Sequence, residues 1–254
     1  MCIDCHTTPC GLAGVLKWSV IFQPLPLIAV YRIFLRNILQ LQKKHKKCYL
    51  SLLGQCGSCW AFAAVASVES AHAIAKGPLV RLSEQELIDC DTQNYGCNGG
   101  YRPYAMSFVR KNGLVKEDEY PYRGADHNEC ALDVNSTGRV FIHDYRTLSP
   151  NEEIIADWIA TKGPVTFGMN VTKPLYSYRN GIFSPSKEDC EKNSLGSHAL
   201  IFVGYGTDSG GERYWLVKNS WGSRWGQNGY FKLARGQNAC GAANSVVTPI
   251  IEQN

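Results

Sequence analysis

The pattern of hydrophobic and polar residues changes near residue 140. Before it, residues 61–76, 82–89 and 103–111 are rich in helix formers and poor in breakers, and they predict three helices. Residues 149–163 predict one more helix, which ends at Gly163. Extended apolar runs separated by Gly and Asn then predict an antiparallel sheet or barrel. These runs cover residues 164–171, 198–206, 214–218, 230–234 and 245–251.

This order of elements predicts an α+β protein with a helical lobe followed by a β-rich lobe. We place the helical lobe at residues 53–147 and the antiparallel, barrel-like lobe at residues 148–254. A site that uses both lobes is expected in the cleft between them. Residues 1–52 do not continue the pattern. We expect them to lie outside the fold. An alternative exon or a misassigned gene start would explain their presence.

Capping residues mark where several of these helices begin. Ser58 is placed as the N-cap of the first helix, which Gly77-Pro78 would stop. Ser83 and Glu86 have the spacing of a capping box. Ser149 and Glu152 repeat that spacing, with a proline at the first helical position.

Charge is unevenly distributed along the chain. The net charge is +4, but residues 1–50 hold seven Lys and Arg against one Asp, which leaves the remainder mildly acidic. We therefore expect no nucleic-acid partner. The uncharged run 18–31 is interrupted by prolines and is too short to span a membrane. The basic run 43–47 could contact an anionic surface, although a solvated run is the simpler interpretation.

A short motif near the N-terminus has the form Cys-x-x-Cys-His. Cys2, Cys5 and His6 match the haem-attachment pattern, and Cys10 could complete a metal site. Both interpretations need a folded surround that the sequence does not predict. We therefore expect no metal and no cofactor. No signal peptide is recognisable in this segment, because a cationic start is absent.

Cys59 combines with two distant residues in a pattern that suggests nucleophilic catalysis. A thiol in the first turn of a helix is favoured as thiolate by the helix dipole, although a lone cysteine is often a small core residue. His198 and Asn219 follow roughly 140 and 160 residues later, each in a strand-like run. An imidazole can carry the thiol proton, and an amide can orient the imidazole.

Together these motifs resemble the papain-like cysteine peptidases over residues 54–250. The resemblance rests on Gly-Gln-Cys-Gly-Ser-Cys-Trp at 54–60, Gly-Cys-Asn-Gly-Gly at 96–100, Gly-Ser-His-Ala at 196–199 and Asn-Ser-Trp-Gly at 219–222. It implies a two-lobe fold and peptide or protein substrates. Cys59 would be the nucleophile, His198 the proton carrier, Asn219 its orienter and Trp221 the cover of their hydrogen bond. Protein inhibitors of cysteine peptidases are possible partners, and we expect a monomer.

Cysteine usage suggests an oxidising compartment. The chain has eleven cysteines, and excluding Cys59 leaves six in residues 51–254. Six cysteines allow fifteen pairings, among which the sequence cannot choose. The resemblance implies the pairs Cys56–Cys97, Cys90–Cys130 and Cys190–Cys240, and a lysosomal or extracellular location. The sequons at Asn135 and Asn170 are consistent with this location.

The resemblance also implies how a peptide would bind. Gly99 and Gly100 would pair with the substrate backbone. The pocket for the residue two before the cut would be formed by Tyr101, Gly168, Gly196, Ala199 and Ser245. Because this set holds no acid, we expect bulky apolar side chains to be preferred over Arg. The short interval between Cys97 and Cys130 favours an endopeptidase over a carboxydipeptidase.

One position departs from the family pattern. The family has a glutamine six residues before the nucleophile, where its amide helps to bind the oxyanion, and Leu53 stands there in this chain. Gln55 matches a different glutamine of the motif. The alternative function is therefore that of a catalytically impaired or inactive homologue, or a truncated product, which folds imperfectly or binds peptides without cutting them. A redox role for Cys56 with Cys59 is a third and weaker hypothesis.

Overall fold

The computed structural model describes residues 56–127, 129–132, 136 and 138–252. Residues 1–55 lie outside this set, so the predictions for segment 1–52, for the Cys2–His6 motif and for Leu53 remain predictions. The helices are α1 (Cys59–Lys76), α2 (Glu84–Cys90), α3 (Arg102–Asn112), α4 (Glu152–Thr161), α5 (Lys173–Tyr176) and α6 (Lys187–Lys192). The strands are β1 (Asp144–Thr147), β2 (Val165–Thr172), β3 (Ile182–Phe183), β4 (Ser194–Thr207), β5 (Arg213–Lys218), β6 (Tyr230–Ala234) and β7 (Val246–Ile250).

Helix α1 begins after Ser58, the N-cap residue that the sequence predicts. The Ser58 carbonyl accepts hydrogen bonds from the N–H groups of Ala61 and Phe62, at 3.0 and 3.1 Å. Its side chain makes no capping bond. The Ser58 hydroxyl instead bonds the Tyr122 hydroxyl at 2.8 Å. Ser58 is therefore the N-cap residue, as predicted, although its hydroxyl bonds a tertiary partner and does not cap the helix.

The two predicted capping boxes have different outcomes. Ser83 Oγ accepts from the N–H of Glu86 at 3.0 Å, as predicted, while the Glu86 carboxylate accepts from the Val115 N–H at 2.8 Å. Asn151, and not Ser149, is the N-cap of α4. Glu152 cannot complete a box there, because its carboxylate accepts from the indole N–H of Trp215 at 2.8 Å.

The described strands form one seven-stranded sheet in the order β1-β7-β2-β4-β5-β6-β3. Every pairing is antiparallel except that of the two-residue β3 with β6. Strand β4 is central and long. Its first half pairs with β2 and its second half with β5, and its residues 198–204 are buried.

Two large hydrophobic clusters support the two-lobe prediction. One packs α1, α2 and α3 around the fully buried Trp60 and Met106. The other fills the space between the sheet and α4 around Phe167, Phe202 and Trp215. The predicted α+β class is confirmed. Among the described residues, no helix is both long and apolar enough to cross a bilayer.

Three disulfides join segments that are distant in sequence. They are Cys56–Cys97, Cys90–Cys130 and Cys190–Cys240, the pairs that the resemblance implies. Because Cys56 is bonded to Cys97, it is not available to form a redox pair with Cys59, and that third hypothesis is excluded. Cys59 is the free cysteine of the described residues.

Candidate active site

The start of α1 is held against the loop that carries the predicted backbone-binding glycines. The Gly57 N–H donates to the Cys97 carbonyl at 2.7 Å, and the Trp60 indole donates to the Gly96 carbonyl at 3.1 Å. Cys59 is the first residue of the helix, so its own N–H has no intrahelical acceptor. The thiol therefore lies at a rigid helix start, beside an N–H that is able to bind an anion.

Strand β4 brings His198 and Ala199 to this helix start. The Ala199 N–H donates to Cys59 Sγ at 3.4 Å, across 140 residues of sequence. The His198 side chain is buried and hydrogen-bonds the thiol. The predicted nucleophile and the predicted proton carrier are therefore in contact.

Asn219 lies directly after β5 and fixes the imidazole. Its Oδ1 is 2.9 Å from His198 Nε2 and also accepts from the Ser220 N–H at 2.8 Å. An oxygen that already accepts from a backbone N–H must face a donor on the ring, so Nε2 carries a proton. The other ring nitrogen, Nδ1, is then the one available to the thiol.

Trp221 covers the imidazole. Its ring stacks on His198 with centroids 5.1 Å apart and an angle of 21° between the planes. Tyr176 of α5 stacks on Trp221 in turn, at 4.8 Å and 2°. Sequence reasoning missed Tyr176, since no motif marks it and only the fold brings it to this position.

The electrostatic surroundings favour the ionised thiol. Burial acts to raise the pKa of Cys59, but the hydrogen bond and charge of His198, the Ala199 N–H and the charge of Arg102 outweigh burial. The pKa is therefore lowered from its ordinary value. The site can form a thiolate, which is the nucleophilic form of cysteine.

The two glycines of the neighbouring loop have different environments. A Cβ on Gly100 would lie 2.6 Å from a ring carbon of Trp60, so packing alone excludes a side chain there. Gly99 has φ +107 and open space around its Cα. The Tyr101 N–H donates to Asn94 Oδ1 at 2.6 Å, which fixes the loop, while the Tyr101 ring is exposed.

Most of the predicted pocket residues meet around a residue that the sequence analysis overlooked. Gly168 of β2 pairs with Ala199 of β4. The guanidinium of Arg102 donates from Nη2 to both the carbonyl and the hydroxyl of Ser245, each at 2.8 Å. A Cβ on Gly168 would lie 2.9 Å from Nη1 of the same side chain. A cation therefore lies among the residues predicted to form this pocket, which the sequence analysis did not foresee.

Gly196 lies near the start of β4, at φ +126 and with open space around it. The structure gives no contact between Gly196 and Arg102, so its part in the pocket stays a prediction. Arg102 directly follows Tyr101 in the sequence. That adjacency was the available signal for its place in the site.

Comparison with known proteins agrees with this geometry. The family model described as papain family cysteine protease matches residues 42–250. Pro-cathepsin H of Bos taurus is 43% identical over 202 residues, which are 78% of this chain and 59% of that protein. Cathepsin L of Sarcophaga peregrina is 40% identical over 207 residues, again 78% and 59%.

The fold comparison points the same way. Digestive procathepsin L 3 of Tenebrio molitor larval midgut superposes with a TM-score of 0.71 at 36% identity, covering 78% of this chain and 61% of that one. The chain thus spans about three-fifths of the length of these relatives. The resemblance inferred from the motifs is confirmed, and the chain belongs to the papain family of cysteine proteases.

Proposed function

We propose that this chain is a thiol-dependent endopeptidase that cleaves peptide bonds through an acyl-enzyme on Cys59. One arrangement carries the proposal: the Cys59 thiol is hydrogen-bonded to His198, and Nε2 of His198 lies 2.9 Å from Asn219 Oδ1. This relay provides a nucleophile, a proton carrier and an orienting group in one line.

In the first half of the reaction, the Cys59 thiolate attacks the carbonyl carbon of the scissile bond. The Cys59 N–H, which has no intrahelical acceptor, donates to the oxyanion that forms. The His198 imidazolium then gives its proton to the departing amine as the C–N bond breaks. A thioester on Cys59 remains.

In the second half, water replaces the leaving amine. Neutral His198 takes a proton from the water, whose oxygen attacks the thioester carbon. The C–S bond breaks and the acid product leaves, which regenerates the thiolate and the imidazolium. Asn219 keeps the ring aligned through both halves, and Trp221 excludes bulk water from their hydrogen bond.

Substrate would lie in an extended form along the loop of Gly99 and Gly100, with one side chain in the pocket of Gly168 and Ala199. The small residues of this pocket support acceptance of bulky apolar side chains. Its cation, Arg102, supports the exclusion of arginine from the same position, because like charges would be brought together. The preference for leucine over arginine is expected to be at least about tenfold.

The test uses a peptide of about ten residues with both termini blocked and a fluorophore–quencher pair. We expect internal cleavage by the wild type, and a loss of more than about 10³-fold in kcat/KM for Cys59→Ser and for His198→Ala. His143→Ala is the matched control, because His143 is exposed and pairs with Glu252. Wild-type rates in either site variant would disprove the assignment, and release of terminal residues only would disprove the endopeptidase part.

The alternative, an impaired homologue that binds peptides, is supported by Leu53 at the position of the family's oxyanion glutamine. Iodoacetamide labelling separates the two functions. A reactive Cys59 with slow turnover indicates an impaired enzyme, whereas an unreactive Cys59 indicates a binding protein.

The three disulfides support a lysosomal or extracellular location, since disulfides persist in oxidising compartments. Protein inhibitors of cysteine peptidases are proposed partners, because such inhibitors act on the papain family, to which this chain belongs. Titration of the hydrolysis with a protein inhibitor of papain tests this proposal.

A further inference from the structure

Arg102 is a buried cation whose charge has no carboxylate partner in the described part of the chain. Only 9% of its surface is exposed. Its recorded hydrogen bonds, both from Nη2, go to neutral oxygens of Ser245. Nε is buried with no acceptor among the described residues. Burying a charge is costly unless an opposite charge or several hydrogen bonds compensate it. For Arg102 this compensation is incomplete.

The guanidinium lies against Gly168 of the predicted pocket, and its charge acts on the Cys59 thiol. Nη1 faces the position where a side chain on Gly168 would project, and Gly168 pairs with Ala199, whose N–H bonds Cys59 Sγ. The charge of Arg102 contributes to lowering the pKa of Cys59. Burial lowers the pKa of Arg102 itself to about 10, so the group is still charged at neutral and acidic pH.

The described residues accept no hydrogen bond from Nη1, which leaves its two N–H donors for an incoming group. Gly168 lets the guanidinium lie close to β2, because a Cβ at that position would lie 2.9 Å from Nη1. Ser245 holds the opposite nitrogen with two bonds and fixes the direction of the group. A pre-oriented cation with an open donor is suited to a carboxylate, since charge-assisted bonds are the strong ones.

We propose that Arg102 lets this pocket recognise an acidic side chain two residues before the cut, glutamate over its neutral isostere glutamine, in addition to the bulky apolar side chains. The inference rests on the proposed peptidase function and deepens it. Glutamate can place its aliphatic part against Gly168 and Ala199 while its carboxylate reaches the guanidinium. Glutamine has the same shape without the charge, so the comparison of these two residues isolates the contribution of Arg102.

An alternative role for Arg102 is a structural link between α3 and the segment before β7, through Ser245. Loss of such a link would change the rate with every substrate by a similar factor. A specificity role changes the ratio between substrates. The ratio is therefore the decisive quantity.

The experiment uses blocked fluorogenic peptides and peptidyl chloromethyl ketones that carry Glu, Gln or Leu at this position. Alkylation of Cys59 by the ketones reports pocket recognition even where turnover is slow. For the wild type, we expect Glu to exceed Gln by at least about tenfold in kcat/KM and in alkylation rate. In Arg102→Met the ratio should fall to one or below while Leu is still accepted, and Arg102→Lys should retain part of the preference.

Arg110→Met is the matched control, because Arg110 lies on the same helix but is exposed and pairs with Asp144 at 3.1 Å. It should leave the Glu-to-Gln ratio unchanged. Equal rates for Glu and Gln in the wild type overturn the inference without any variant having to fold. An unchanged ratio in folded Arg102→Met overturns it as well. Failure of Cys59 to react with any peptide or ketone overturns the proposed function, and this inference with it.

Discussion

At the scale of single residues, Asn219 determines which proton the site can move. Its Oδ1 accepts from the Ser220 N–H, so reversal of the amide would set two donors against each other. Its Nδ2 is buried without an acceptor in the described part of the chain, which is a cost of this orientation. The protein therefore keeps the amide oxygen directed at His198.

We expect Asn219→Ala to lower kcat/KM by about 10- to 100-fold, the equivalent of one hydrogen bond to a charged group. Because the imidazolium loses its acceptor, alkylation of Cys59 by iodoacetamide should also slow near neutral pH. Stopped-flow measurement of both rates tests this. Asn193→Ala, at an exposed asparagine that bonds Asp189, is the control. Unchanged rates in Asn219→Ala would show that the ring is oriented by other contacts.

Leu53 lies outside the described residues, and its role is a prediction from the family motif. The Cys59 N–H is one oxyanion donor, and leucine offers no second one. Leu53→Gln should therefore raise turnover by about 10- to 10³-fold, with a smaller effect on alkylation, which forms no oxyanion. Parallel measurement of hydrolysis and alkylation distinguishes the two effects. No gain in hydrolysis with a reactive thiol would mean that residue 53 does not serve the oxyanion.

The residues proposed as catalytic could be predicted from the sequence because each lies in a short motif of recognisable residue types. Arg102 could not be assigned in the same way. Its burial depends on Ser245, 143 residues away in the chain. The stacking of Tyr176 on Trp221 likewise depends on how α5 packs on the sheet. A local sequence pattern predicts whether a segment is a helix or a strand. It does not predict which distant segment packs against it, and both of these contacts depend on that packing.

At the scale of elements, α1 carries a buried carboxyl group, that of Glu69. Glu69 accepts from the Leu82 N–H at 2.8 Å and connects α1 to the segment before α2. Burial raises the pKa of Glu69 to about 7, although Lys218, the Leu82 N–H and Arg81 act to lower it. Burial and the charge of Glu69 also raise the pKa of Glu84.

This raised pKa predicts how stability depends on pH. Between the ordinary value of 4.5 and about 7, folded Glu69 holds a proton that the unfolded chain has released. The free energy of unfolding should therefore fall as pH rises through this window, by on the order of 3 kcal/mol. Glu69→Gln keeps the acceptor for Leu82 and should flatten the fall. Thermal unfolding at pH 5 and pH 8 measures this. An equal slope in the variant would contradict the assignment, and Glu188→Gln, at an exposed site, is the control.

The helix starts show how far element-level prediction reaches. Ser83 caps α2 as its local sequence predicts. At α4 the same spacing is misleading. Asn151, two residues after Ser149, is the N-cap, because its side chain accepts from the N–H groups of Glu153 and Ile154. The Glu152 carboxylate instead accepts a hydrogen bond from the indole N–H of Trp215 in β5. Tertiary partners decide between caps that are locally equivalent.

At the scale of the whole molecule, the site depends on contact between two cores. Cys59 begins a helix of one core, and His198 lies on a strand whose neighbours Leu200 and Phe202 belong to the other. Ala199, between them, packs with the helical core. Small changes in how α1 meets β4 therefore change the distance from thiol to imidazole directly.

We expect that removal of one of the disulfides, but not of another, disturbs the contact between α1 and β4. Removal of Cys56–Cys97 by paired serines frees the start of α1 from the loop at Gly99. We expect a loss of about 2–5 kcal/mol in the free energy of unfolding, together with slower alkylation of Cys59. Removal of Cys190–Cys240, in the other lobe, should lower stability by a similar amount and leave alkylation unchanged. Denaturant unfolding and iodoacetamide rates test the pair, and equal alkylation rates in both variants would contradict this account.

The most direct test of the nucleophilic role is to trap the thioester. The wild type is mixed with a slowly hydrolysed peptide ester, quenched in acid within the first turnover, and digested for mass spectrometry. The account predicts an added mass equal to the acyl part of the ester, on the peptide that contains Cys59 and absent in Cys59→Ser. Continued hydrolysis with no adduct on Cys59, or with an adduct on another residue, would contradict it.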